Sequence, residues 1–266
     1  MFEYLDYFDK SKPIIDKVPV PDFTKFKHPD LEKQKYYEKE DEKYREGIGE
    51  YFDCCGSRVR LIPGSLYFGV QNGWLKNRQS GRIEEYKARD VNLLTHQHIR
   101  ESFLKKKISL ILKPRGSGFS SDVAGIFPAW IWRIHPGATV VMTSKDSKTS
   151  QALYNDKLRV FLQNCPKEIF DYSWEKEGGS KIKEATTGNI TVTFRSSYYD
   201  ANGIQRDAES EIFVRETSQT PESASAFASK GAMLGIVDEF FLHKRFSPLM
   251  DSMINLFQNP STGEME

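Results

Sequence analysis

The stretch that decides the fold is Ile108-Ser109-Leu110-Ile111-Leu112-Lys113-Pro114-Arg115-Gly116-Ser117-Gly118-Phe119-Ser120-Ser121. Five residues of strand length and apolar character run into a glycine-containing turn, and a helix-like stretch follows from Ser121 towards Arg133. Strand, glycine turn and helix together are the setting of a phosphate-binding loop. There the glycines let main-chain N–H groups curl around phosphate, and the helix aims its positive end at the anion. The strict G-x-x-x-x-G-K-[ST] pattern fails, because Lys113 stands at the first position and Phe119 replaces the usual lysine. Gly118 and Ser120 keep the second glycine and the magnesium-binding hydroxyl. Lys113 entering from the front of the loop supplies the missing charge, and Arg115 adds a planar, permanently charged donor. A plain Gly-Ser turn between a strand and a helix is the alternative reading of this segment alone.

Outward from the loop the rhythm is α/β. Ala138–Met142 reads as a buried strand, Asp146–Leu162 as a long amphipathic helix anchored by Ala152, Leu153, Leu158 and Phe161, and Ile190–Phe194 as a half-buried alternating strand. Met233–Val237 is a last buried strand and ends in Asp238-Glu239. Strands alternating with helices predict a mostly parallel sheet flanked by helices, and with the glycine turn a P-loop NTPase arrangement, whose additional-strand (ASCE) type is what the family resemblance given below implies. The carboxyl edge of such a sheet is where ligands bind. Adjacent residues of a strand point to opposite faces, so the two acids divide the work. Asp238 would hold hydrated magnesium opposite Ser120, and Glu239 would take a proton from the attacking water. A strand that simply ends in two exposed acids is the plain alternative here.

Upstream, Leu66-Tyr67-Phe68-Gly69-Val70 reads as a strand, with Trp74-Leu75 and Ile83 in a second one. Asp90–Lys106 has helical spacing with Val91, Leu94, Ile99 and Phe103 on its apolar face. The segment from Lys25 to Glu50 is dense in mixed charge and reads as a solvated helix laced with i,i+4 pairs rather than a nucleic-acid patch. Three divisions follow: 1-57, a charged, partly extended and partly helical segment; 58-106, a small β-containing α+β lead-in; and 107-266, the ATPase core. Thirty-eight Lys and Arg balance 37 Asp and Glu for a net charge of +1, so any nucleic-acid surface must arise from charge segregation. No apolar run approaches the roughly 20 residues that span a bilayer, and the N-terminus lacks the pattern of a secretory signal. Cys54, Cys55 and Cys165 form no C-x-x-C pair, which speaks against a zinc knuckle or a disulfide framework.

Lys113-Pro114-Arg115-Gly116-Ser117-Gly118-Phe119-Ser120 resembles the K-x-R-x-x-G-[FY]-S loop of the large subunit of tailed-bacteriophage terminase, the ATP-driven DNA-packaging motor. Gly64–Phe68, Tyr86–Asp90, Asn202–Asp207 and Lys230-Gly231 look like further segments of that family. The resemblance implies Mg2+ and ATP as cofactors. It implies that Lys113 and Arg115 contact phosphates, that Gly116, Ser117 and Gly118 cradle them, and that Pro114, Phe119 and Ser121 complete the nucleotide-binding loop. Ser120 and Asp238 would hold the metal, and Glu239 would be the catalytic base. Gln97 is the matching choice for an adenine-reading glutamine, an exposed helix-face residue being the alternative. The resemblance also implies double-stranded DNA, a portal protein and a small terminase subunit as partners. A homo-oligomeric ring and the host cell cytoplasm follow in the same way, with no membrane.

The family continues past the Asp-Glu strand to a coupling motif and an RNase-H-like nuclease. This chain ends at Glu266 with neither, so the expectation is a fragment or split gene product with an incomplete sheet and no nuclease activity. A helicase-like translocating ATPase shares the chemistry, and a non-hydrolysing nucleotide-binding scaffold would exploit the absent lysine. Arg195, Arg206 and Arg215 are arginine-finger choices, although most such arginines are surface pairs. His135 reads as packed on the core, and Trp130 and Trp132 as helix core.

Overall fold

The computed structural model describes residues 15–52, 59–77, 80–105, 109, 111, 118–170, 183–184, 190–199, 202–216 and 232–239. The 108–112 strand expected from sequence, the loop residues Lys113, Pro114, Arg115, Gly116 and Ser117, the Cys54-Cys55 pair and Lys230-Gly231 therefore lie outside the description, save Ser109 and Ile111.

Helix α1 (Pro29–Glu46) begins with proline at its first position, where a missing N–H costs nothing. The ion pairs within it among the described residues, Lys35–Glu32 at 3.2 Å and Lys43–Glu40 at 2.6 Å, are spaced i,i+3, and the helix is not simply solvated. Glu40 and Tyr44 are buried on its inner face. Strands β1 (Ile48–Phe52) and β2 (Val59–Ile62) pair antiparallel and lead to α2 (Gly64–Asn72). The strand expected at Leu66–Val70 is therefore a helix. Every residue of α2 is buried, and an element enclosed on all sides leaves no polar face from which its period can be read. Gly64 faces α1 so closely that a Cβ would lie 2.1 Å from the Tyr44 carbonyl oxygen, which admits no other residue.

Strands β3 (Trp74–Lys76) and β4 (Ile83–Glu85) form a small antiparallel pair, so Trp74-Leu75 and Ile83 belong to two strands rather than the single one expected. Helix α3 (Asp90–Leu104) follows, but its buried stripe is not the expected one. Val91, Leu94 and Phe103 are exposed, whereas Leu93 is buried beside Asn92, Thr95 and His96. Hydrogen bonds select that stripe. Asn92 Nδ2 donates to Asp122 Oδ2 at 2.6 Å, and Ser65 Oγ lies 2.8 Å from His96 Nδ1.

After Gly118 the chain is helical from α4 (Phe119–Ser121) through a π turn (Asp122–Ile126) into α5 (Phe127–Ile134). Pro128 explains the π turn. In a regular helix its ring would clash with the carbonyl four residues back, and its absent N–H would orphan that carbonyl. The wider turn, in which Phe127 N–H reaches back to the Asp122 carbonyl, relieves both. Strand β5 (Thr139–Ser144) is followed by α6 (Ser147–Leu153), a second π turn (Tyr154–Leu158) and α7 (Arg159–Asn164), which together fill the expected long amphipathic segment. The two π turns meet: a Cβ on Gly125 would stand 3.6 Å from the Lys157 carbonyl.

The main sheet has the order β6-β7-β8-β5-β9, with β6 (Lys183–Glu184), β7 (Ile190–Tyr199), β8 (Gln205–Glu216) and β9 (Leu234–Val237). Strands β8, β5 and β9 run parallel, as expected, while β6-β7 and β7-β8 are antiparallel. The architecture is mixed α/β. Buried side chains from Tyr44 to Ile236 belong to one core. An aromatic chain runs through it: Tyr44–Phe68 (5.1 Å between centroids), Phe68–Phe161 (5.6 Å), Phe170–Phe194 (5.0 Å) and Trp132–Phe194 (5.5 Å). Trp132 is fully buried, and the partly buried Trp130 donates its indole N–H to the Tyr44 carbonyl at 2.7 Å.

Candidate nucleotide site

The carboxyl ends of β5 and β9 lie side by side, with Met142 opposite Ile236 and Thr143 opposite Val237. One further main-chain bond, Asp238 N–H to the Thr143 carbonyl at 2.9 Å, carries the pairing past the end of β9. It places Asp238 and Glu239 at the edge where the sequence put them. Glu239 then leaves extended geometry altogether: its φ is +52°, in the left-handed region that non-glycine residues seldom occupy. Its side chain reaches Lys145, the residue after β5, with Nζ 2.8 Å from Oε2. Oε2 is enclosed, and the ammonium approaches off the line of a hydrogen bond, so this oxygen has a charge beside it but no well-aligned donor among the described residues.

The turn carrying Lys145 is pinned on both sides. Ser144 N–H donates to Ser150 Oγ at 2.9 Å, and Asp146 caps α6 by accepting from Thr149 N–H at 2.7 Å. The Thr149 hydroxyl and amide bonds hold the Asp146 carboxyl below its ordinary value. Sequence reasoning passed over Lys145 and Thr143. Only the strand pairing brings them to the tandem acids, although an Asp three residues before a Thr at a helix start is a readable cap.

At the loop side, Gly118 has φ +80°, a left-handed conformation natural to glycine, and it opens the helix whose first turn is Phe119, Ser120 and Ser121. Ser120 is half-buried there, and Ser121 Oγ accepts a hydrogen bond from Lys157 Nζ at 3.1 Å. Directly beneath, Asp122 is wholly buried, and burial pushes its carboxyl up to about 6. Asn92 is its partner, and the same Asn92 accepts the Arg89 N–H at 2.7 Å. Asp122 Oδ1 and the nearby Tyr86 hydroxyl lack hydrogen bonds of ordinary geometry among the described residues. Burial and the Asp122 charge raise the Tyr86 phenol well above its usual range. Asn92 is the residue the sequence reading missed on this side; a Cβ on Gly118 would come within 3.9 Å of its amide nitrogen. Gln97 is half-buried on the following turn of α3. His135 ends α5, half-buried, with its imidazole lowered by burial. Arg206 is exposed on β8.

Among the described residues no cluster of three or more His, Cys, Asp or Glu forms a metal cage, and no helix is long and apolar enough to cross a membrane.

No protein-family model matches the chain, and no curated protein matches it. Among solved structures, the large terminase ATPase domain of Thermus phage P74-26 aligns at TM-score 0.38 and 14% identity, covering 63% of this chain and 61% of that one. A point mutant of the same domain aligns at TM-score 0.39 and 13% identity with the same coverage, 63% and 61%. This chain therefore spans 61% of the length of those structures. Similarity at this level leaves the functional reading to the residues themselves.

Proposed function

We propose that the chain is an ATP-hydrolysing subunit of a double-stranded DNA packaging motor, with the front-lysine loop and the Asp238-Glu239 pair as the two halves of one Mg-ATP site. The observation that carries the reading is the β5-β9 edge. Tandem acids follow a strand whose parallel partner pins their backbone, in a chain that also bears Lys113-Pro-Arg115-Gly-Ser-Gly118-Phe-Ser120. The donors fit the cation, because Mg2+ prefers hard oxygen ligands and keeps several waters, and a serine hydroxyl with one carboxylate satisfies that demand.

Ser120 and Asp238 would hold Mg2+, which would supply positive charge to offset that building up on the phosphates. The protein does the rest. Lys113 and Arg115 would contact the phosphates, and the N–H groups of Gly116, Ser117 and Gly118 would cradle them. Pro114 would belong to the same loop, and Phe119, Ser120 and Ser121 begin the helix that follows Gly118. Glu239 takes the proton of the attacking water as its oxygen bonds to the γ-phosphorus. The bond to the β–γ bridging oxygen breaks, and ADP leaves with that electron pair. Gln97 would read the adenine. DNA, a portal protein, a small subunit and a ring of identical chains would complete the motor, and the three sequence divisions would remain its working parts.

Calorimetry of Mg-ATP titrated into the full chain, followed by turnover assays, tests the reading. Mg-ATP should bind; Lys113→Ala should weaken both binding and turnover; Glu239→Gln should bind ATP and fail to hydrolyse it. Absence of binding heat in well-folded protein would end the proposal. Duplex unwinding without packaging would favour the helicase-like alternative. Turnover in the parent no faster than in Glu239→Gln would favour the scaffold.

A further inference from the structure

Glu239 acts as a base only where its carboxylate faces the attacking water, and in this structure one of its two oxygens, Oε2, is turned to a lysine instead. Lys145 holds it at 2.8 Å. Three features make the contact a constructed one rather than a chance meeting of two long side chains. The backbone of Lys145 is fixed between Ser144, tied to Ser150, and Asp146, which caps α6. The backbone leading to Glu239 is fixed by the Asp238–Thr143 bond, one residue from the φ of +52°. The side chains are neither buried nor free, at 36% and 32% exposure, and the enclosed Oε2 lacks an aligned donor. A left-handed non-glycine backbone and an under-satisfied enclosed oxygen are both unfavourable states, and they persist only where surrounding structure imposes them.

We propose that Lys145 is a positioning residue that holds Glu239 in a resting conformation, so that the hydrolytic site exchanges between a Lys145-paired state and a released state in which Glu239 can take the water's proton. The inference rests on the nucleotide-hydrolase reading above and adds its regulation. Release costs only an ion pair between partly exposed side chains, a weak restraint, and it frees Oε2 to find an aligned donor. Turnover at saturating ATP is then proportional to the released fraction, while nucleotide affinity, set by the loop, is unaffected. A half-exposed pair of this kind is a weak restraint, and removing it should raise kcat by about two- to fivefold.

The test compares steady-state ATP hydrolysis by the full chain with that of Lys145→Met, Lys145→Arg, Glu239→Gln and the double variant Lys145→Met/Glu239→Gln, with a thermal melt for each. Lys145→Met should raise kcat with KM within about twofold of the parent. Lys145→Arg, which keeps the cation, should return kcat towards the parent value, and both Glu239→Gln chains should be inactive. A merely structural lysine would lower the melting temperature without raising kcat. Unchanged or reduced kcat in Lys145→Met, alongside an inactive Glu239→Gln, overturns the restraint and leaves the hydrolase reading intact. A parent without turnover, or a Glu239→Gln as active as the parent, overturns both. If Lys145→Met loses its cooperative melt, Lys145→Gln gives the same readout.

Discussion

The side-chain network between α1 and α2 and the carboxyl edge of the sheet treat polar groups in opposite ways, with Gln71 Nε2 on α2 the enclosed group that this network leaves without an aligned partner among the described residues. Around α1, Glu40 is buried yet accepts from the Tyr67 hydroxyl at 2.8 Å and from Lys43 at 2.6 Å, and Asn72 donates to the Tyr44 hydroxyl at 3.1 Å. Arg133 meets Asp41 through two hydrogen bonds, of 2.7 and 2.6 Å, and gives a third at 3.0 Å to the Ile169 carbonyl. At the sheet edge and under the glycine turn, Ser144 Oγ, Glu239 Oε2 and Asp122 Oδ1 are enclosed without aligned partners among the described residues. A completed network lowers the energy of one arrangement and fixes it. An incomplete one keeps its acceptors available to something that arrives later, at a cost in stability that the rest of the fold offsets.

The contrast breaks most sharply at Glu239. Glu239→Gln should lower ATP turnover by about 10²- to 10⁴-fold, the usual worth of a positioned base, with the melting curve nearly unmoved. A loss of stability instead of turnover would place Glu239 with the structural networks. Trp132→Ala should do the reverse, costing about 3–5 kcal/mol in urea unfolding, because it empties the stack on Phe194.

His96 sharpens the comparison through pH. Burial takes its imidazole from the ordinary 6.5 down to about 3, so the folded chain keeps it neutral where the unfolded chain protonates it. Stability is therefore fully present above 6.5 and falls as pH drops towards 3, by about 1.4 kcal/mol per pH unit from this group. His96→Phe, which keeps the contact with Phe127, should remove that slope in unfolding curves recorded across the window. A slope that survives would assign the acid sensitivity elsewhere. The smallest effect is expected at Asp41→Ala. Its ion pair with Arg133 is partly exposed, so the cost should be about 1–2 kcal/mol in the same assay, with ATP binding unaltered.

These contrasts also explain what the sequence made legible. The alternation of Ile190, Val192 and Phe194 marks β7 because one face is buried and the other is not. The same logic fails for α2, which has no exposed face, and for α3, where Asn92 and His96 occupy the inner stripe that apolar spacing assigned to Val91 and Leu94. The length of β8 escaped notice although Asn202-Gly203 is a hairpin signal, and Tyr199 opposite Gln205 closes that hairpin. At the site, the acids at the end of β9 could be named from an apolar run followed by two carboxylates. Lys145 could not, because its importance arises from a parallel pairing between strands far apart in the chain.

The facing π turns carry a constraint of their own. Each inserts one residue into a helix, and the two swellings lean on one another where Gly125 backs onto Lys157. Regularising either turn into α geometry with its extra residue kept would swing every later side chain of that helix by about 100°. Trp132 or Phe161 would then face the wrong way. The segment behind the glycine turn and the segment behind β5 therefore rest on one another at the widened turns that set the facing of their aromatic side chains.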